Sequence, residues 1–203
     1  MKIICIGRNY IDHAKELNNP VPEKPVFFMK PDTALLLKHN PFFYPDFSRD
    51  VHYETELVIK INRNGKHIEE RFAHKYYNEI GIGIDFTARD LQAEAKKKGL
   101  PWEIAKAFDQ SAPLGRFLPK EQFHAMDNIH FSLKINGELK QQGNSKDMIF
   151  TFDRIIAYVS RFVTLRTGDL IFTGTPKGVG SVKINDHFEA FIEDEKLLEF
   201  NVK

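Results

Sequence analysis

Short strand patterns recur along this chain without the regular strand–helix alternation of a parallel α/β fold, and that absence narrows its architecture more than any single motif. Ile3 to Ile6 reads as a strand stopped by Gly7, and Glu54 to Ile61 alternates charged and apolar residues as a half-buried strand does. An apolar, glycine-flanked strand ends at Asp85, and His130 to Ile135 runs into Asn136-Gly137, a two-residue hairpin signal. Leu170–Phe172 and Phe188–Ile192 are further short strands. Helical patterns are fewer. Tyr10–Leu17 is stopped by Asn18-Asn19-Pro20, Phe86–Lys98 is closed by Gly99-Leu100-Pro101, and Phe152–Phe162 has helical spacing. The stretch carrying Pro20, Pro22, Pro25 and Pro31 suits an ordered irregular loop. The expectation is an α+β fold dominated by β-structure, built as one domain over residues 1–203 with a core of its own.

Charge and cysteine content exclude several classes of function. With 29 basic against 28 acidic residues, no long-range field draws the chain to phosphate backbones or anionic lipids, so neither nucleic acid nor membrane is an expected partner. Cys5 is the only cysteine, which rules out an internal disulfide and a thiolate zinc cluster; it reads as a small buried hydrophobe in the first strand. The N-terminus turns polar too early for a secretory segment, and no run approaches the ~20 apolar residues that span a bilayer. An intracellular, cytoplasmic protein is expected.

The candidate chemistry begins at His52-Tyr53-Glu54-Thr55-Glu56-Leu57-Val58. On a strand, Glu54 and Glu56 point to one face, and two carboxylates in a partly dry site are costly unless a cation compensates them. Oxygen-only ligands favour a hard ion such as Mg²⁺, Mn²⁺ or Ca²⁺, whereas a solvated strand face needs no ion. Asp85 either caps the following helix or completes a three-carboxylate site. His13 and Glu16 fall on one helical face, as a general-base pair or as an incidental surface pair. Lys106, among apolar neighbours, either snorkels to solvent or compensates nearby anionic charge. The glycines of Gly168–Gly180 allow backbone amides near a ligand anion, with Thr175 adding a hydroxyl, or they simply form a tight turn. Phe86 stands where a dinucleotide fingerprint needs its third glycine, and Ser181 follows Gly180 where a P-loop needs lysine. Lys96-Lys97-Lys98 reads as a solvated helix end without a role.

Taken in order, GRNYIDHAKE, PVFFMKP, HYETELVI, GIDFTARDLQ, PWEIAKAFD, INGELKQQGNSKDMIF and GDLIFTGTPKGVG resemble the fumarylacetoacetate hydrolase family from Gly7 to about Phe191. The likeness is to its short acylpyruvase and oxaloacetate tautomerase/decarboxylase branch, where a hydrophobic residue, here Ile84, precedes the metal-binding aspartate. The resemblance implies a β-rich mixed-sheet roll, usually a homodimer, in which Glu54, Glu56 and Asp85 bind Mg²⁺ or Mn²⁺. It implies that His13 and Glu16 act as a catalytic pair on a mobile lid over about 8–20. Lys106, Gln92 and Thr175 would then hold the substrate's carboxylate and oxo group, with Arg89 beside them. Asp194-Glu195 replaces a usual glycine turn near the end of the chain.

The implied function is action on a small 2-oxo acid through a metal-bound enolate, which serves acylpyruvate hydrolysis, oxaloacetate decarboxylation and keto–enol exchange alike. Two alternatives stand beside it: an isomerase or decarboxylase of longer unsaturated 2-oxo diacids from aromatic catabolism, and a catalytically silent metal-binding homologue.

Overall fold

The structure is a computed structural model that describes all residues except 17–20 and 37–39, together with the side chains of all described residues other than 13–15. Its strands are β1 (Ile3–Gly7), β2 (Val26–Lys30), β3 (Leu35–Leu36), β4 (Val51–Tyr53), β5 (Thr55–Ile61), β6 (Tyr77–Ile84), β7 (Thr87–Ala88), β8 (Ala112–Pro119), β9 (His130–Ile135), β10 (Glu138–Asn144), β11 (Leu170–Phe172), β12 (Gly180–Ser181), β13 (His187–Ile192) and β14 (Glu195–Asn201). The helices are α1 (Ile11–Glu16), α2 (Glu70–Ala73), α3 (Arg89–Lys98), α4 (Glu103–Lys106) and α5 (Phe152–Val159). A mixed sheet ordered β2-β1-β11-β5-β6-β8-β3 carries the site; a four-stranded sheet, β10-β9-β13-β14, and a small one, β12-β4-β7, complete the β-structure. The expected β-rich α+β roll is therefore what forms.

Glu54–Ile61 is not half-buried. In β5 only Lys60 escapes full burial, because each face of the sheet has its own apolar cover. Leu57, Ile59 and Ile61 face the main core with Ile80, Ile82 and Ile84, while Val58 faces a second cluster with Ile3, Cys5 and Phe172. Cys5 is the buried hydrophobe expected of it, and burial first, then the nearby Asp85, pushes its thiol well above the ordinary range. Glycine at position 83 makes this cover possible: a Cβ there would lie 2.5 Å from the Phe172 ring and 3.0 Å from the Pro113 carbonyl.

Other expectations change in instructive ways. The proline-rich stretch contains β2, paired antiparallel with β1 at the sheet edge, where flanking prolines cost no central ladder bond. The helix expected from Phe86 starts at Arg89, because Thr87 and Ala88 pair with His52 and Val51. Asp85 is thus no N-cap. The last helix ends at Val159, short of Phe162. Asn136 and Gly137 form the hairpin turn, with φ of 54° and 79°, and the final hairpin closes without glycine because Glu193 takes a φ of 49°. The expected end of the first helix at Leu17 and its stop lie outside the described residues.

Phe86 anchors the site to the core. Its ring lies 4.2 Å from that of Phe42 and meets Phe188 and Phe200 edge-on at 5.9 and 6.0 Å. Burying such a ring contributes roughly 1.5–3 kcal/mol, and it fixes the residue immediately after Asp85.

Candidate metal centre

The site forms where the first residues of β5 meet the last of β6. Thr55 is opposite Ile84 and Glu56 opposite Gly83, and the Asp85 amide donates to the Glu54 carbonyl at 2.8 Å. Adjacent antiparallel strands therefore bring three carboxylates from two distant segments to one point. Glu54, Glu56 and Asp85 are all buried, and each offers an oxygen within 4.8 Å of the others.

Three cations answer this charge. Lys106 Nζ, on α4, donates to Glu54 Oε2 at 2.9 Å and Asp85 Oδ2 at 2.7 Å, beneath the Phe28 ring. Burial alone would lower the Lys106 pKa, but Asp85 and then Glu54 outweigh it and raise it above the ordinary lysine range. Lys30 Nζ lies 2.8 Å from Asp85 Oδ1 and donates to the Phe86 and Ser111 carbonyls. Arg89 donates to Glu54 Oε1 at 2.6 Å and to Gln92 Oε1 at 2.8 Å, one helical turn along α3.

Glu56 depends on a backbone donor instead, the Gly174 amide at 2.6 Å from its Oε2. Burial first, then Asp85 and Glu54, raises its carboxyl well above the usual range, and Gly174 and Lys106 offset this only in part. The pocket is short of positive charge at Glu56. A hard divalent cation held by three oxygens supplies that charge, so the donor set fits Mg²⁺ or Mn²⁺. Among the described residues the other such group, His187, Glu189 and Glu199, is more open, and Lys196 already pairs with both glutamates.

Gly174 is required where it stands. Its φ is +102°, and a Cβ would lie 2.7 Å from that of Asn9. Gly174→Ala is expected to destabilise the fold by about 1–3 kcal/mol, as strained backbone does, and to weaken Mn²⁺ binding by about 10–100-fold through displacement of the Glu56 donor. Calorimetric melting and Mn²⁺ titration check both effects.

The structure gathers seven of the nine site residues expected from sequence. Glu54, Glu56, Asp85, Arg89, Gln92, Lys106 and Thr175 line one cleft. Glu16 lies outside that lining: its carboxylate accepts from the Gly178 amide at 3.1 and 3.3 Å and borders a neighbouring cleft shared with Gln141 and Lys177. His13 belongs to α1, and its side chain is outside the described set.

Three supporting residues carried no assignment from sequence. Lys30, closing an apolar run just before Pro31, is buried against Asp85. Asn9, fully buried, donates to the Phe150 and Thr173 carbonyls and accepts from the Phe150 amide, tying the start of the α1 segment to the strand that leads to Gly174. Gln141 accepts from the Thr55 amide, between the two glutamates, and donates to Thr175 Oγ1 and the Pro176 carbonyl. Its polar strand looks solvated in sequence, and only burial singles it out.

The chain belongs to the fumarylacetoacetate hydrolase family: the fumarylacetoacetate (FAA) hydrolase C-terminal domain matches residues 2–203, and the protein is an enzyme of that family. It is 46% identical over 201 residues to the mitochondrial oxaloacetate tautomerase FAHD1 of Rattus norvegicus, covering 99% of this chain and 91% of the relative. To the oxaloacetate tautomerase YcgM of Escherichia coli it is 42% identical, covering 97% and 90%. A fumarylpyruvate hydrolase from Pseudomonas aeruginosa, solved in complex with Mn²⁺ and pyruvate, superposes with a TM-score of 0.94 at 37% identity, covering 100% of this chain and 89% of that one.

Proposed function

We propose that this enzyme uses Mg²⁺ or Mn²⁺ to act on small 2-oxo acids, hydrolysing acylpyruvates, decarboxylating or tautomerising oxaloacetate, or both. The observation that carries this reading is the buried triad of Glu54, Glu56 and Asp85 with Lys106 bridging two of its members. The names of the relatives, and the Mn²⁺ and pyruvate held by one of them, support it.

Glu54, Glu56 and Asp85 hold the ion, which when bound supplies Lewis acidity toward the 2-oxo group. Lys106 stays charged at neutral pH and donates toward negative charge developing on the substrate oxygen, where a preorganised donor acts most strongly. Arg89, Gln92 and Thr175 orient the carboxylate. Glu54 pins Arg89, Arg89 donates in turn to Gln92, and Gln141 donates to Thr175. His13 and Glu16, on α1, activate water for hydrolysis, a step that decarboxylation and keto–enol exchange do without.

The test is pyruvate release from acetylpyruvate and from oxaloacetate, with decay of the oxaloacetate enol followed in parallel, each with Mg²⁺, with Mn²⁺ and with excess chelator. Chelator-sensitive turnover is the expected result, and the ratio of rates ranks the reactions. Tight Mn²⁺ binding without turnover on any of the three would overturn the assignment in favour of a silent homologue or of longer diacids.

A further inference from the structure

Beyond the three cations that touch the triad, the same cleft carries two more. Arg8 and Lys96 both line it, alongside Arg89 and Trp102. Lys96 rises from the exposed flank of α3, with its ammonium 5.3 Å from the centre of the Trp102 ring. Arg8, Arg89 and Lys96 share this one cleft, and partial desolvation first, then Arg89 and Arg8, lowers the Lys96 pKa below the ordinary lysine value. Arg8, partly buried, directly follows β1 and sits in the left-handed region at φ 59°, a conformation that costs a non-glycine residue free energy.

Neither residue has an ion pair within 4.0 Å among the described residues. Arg89 differs, since Glu54 and Gln92 occupy it. Lys30, Lys106 and Arg89 are each engaged by Glu54 or Asp85, whereas Arg8 and Lys96 line the same cleft without such a partner among the described residues. Like charges lining one cleft, one of them on strained backbone, make a positive potential that favours an incoming anion.

We propose that Arg8 and Lys96 form a distal anion subsite that receives a second carboxylate of the substrate and makes the enzyme selective for 2-oxo diacids over 2-oxo monoacids. This rests on the functional reading above, with the 2-oxo acid end at the triad and the far carboxylate at the cleft mouth. Lys96, a solvated helix end to sequence reasoning, becomes a specificity residue because α3 turns it toward the cleft that Arg89 and Gln92 enter from the helix start.

The experiment is calorimetric titration of the Mn²⁺-loaded protein with 2-oxoglutarate and with 2-oxopentanoate, which share the 2-oxo acid end and differ in the distal carboxylate. Wild type is expected to bind the diacid about 10-fold or more tightly than the monoacid, the usual worth of a charge-assisted contact. Lys96→Met and Arg8→Met should each erase most of that preference and leave 2-oxopentanoate affinity unchanged. Equal affinity of wild type for the two ligands, or equal weakening of both by Lys96→Met, would overturn the subsite alone. Failure of wild type to bind either ligand would instead overturn the 2-oxo acid reading, and the subsite with it.

Discussion

Glu56→Gln is expected to abolish turnover while making the metal-free protein more stable. The two effects have one cause. Glu56 is buried beside Glu54 and Asp85, and its carboxyl is raised well above the ordinary range by burial and by those two neighbours. A raised folded pKa means that the folded protein binds more protons than the unfolded chain between the two values, so metal-free stability falls as pH rises through that window. Glutamine keeps the shape and can still accept from the Gly174 amide, but it carries no charge to desolvate. Removing the charge should raise the metal-free melting temperature at neutral pH by ~2–4 °C for each kcal/mol relieved in a chain of this size, and flatten its pH dependence. The same substitution would take away one of the three carboxylates proposed to hold the ion. With Lewis acidity worth several kcal/mol, the loss in kcat/KM is expected to reach ~10³-fold or more on every substrate. Scanning calorimetry with chelator, run beside the turnover assay, checks both. A melting temperature that falls in Glu56→Gln would show that Glu56 contributes to the fold rather than straining it. Glu54→Ala should likewise abolish all activities together, but with a loss of stability, since it leaves Lys106 and Arg89 without a shared anion.

That contrast between two neighbouring glutamates is invisible in sequence. Local pattern leaves Glu54 and Glu56 readable as a solvated strand face and Asp85 as a helix cap, and it is the order of the motifs that joins the three into one site. Which cation answers each carboxylate depends on contacts between remote segments. Lys30 arrives from an edge strand between prolines, and Lys106 from a four-residue helix. The same division runs through the fold. The Asn136-Gly137 hairpin and the Leu170–Phe172 strand announce themselves locally. By contrast, β8 carries Pro113, Gly115 and Pro119 and is a strand only because β6 and β3 pair with it. Burial of β5 on both faces likewise follows from Phe172 and Cys5, whose partners no periodicity in β5 predicts.

Glu16 is where geometry and the expected role pull apart, and a pair of substitutions separates them. Glu16→Ala is expected to lower acylpyruvate hydrolysis by ~10²–10⁴-fold, the range for a positioned base, and to spare oxaloacetate decarboxylation more, because no water attacks there. Yet Glu16 also docks α1 on the Gly178 amide, beside a second tie in which Lys177 reaches Asp12 at 3.1 Å. An anchor lost in Glu16→Ala would depress both reactions by displacing the loop that carries Thr175. Glu16→Gln decides the matter, since its amide oxygen still accepts from Gly178 but cannot take a proton. If Glu16 is the base, Glu16→Gln falls as far in hydrolysis as Glu16→Ala and keeps near-normal decarboxylation. If Glu16 is only an anchor, Glu16→Gln recovers hydrolysis while Glu16→Ala loses both activities equally. Parallel kcat and KM for the two substrates in the two variants measure the difference, and equal loss in Glu16→Ala together with recovery in Glu16→Gln would remove Glu16 from the chemistry.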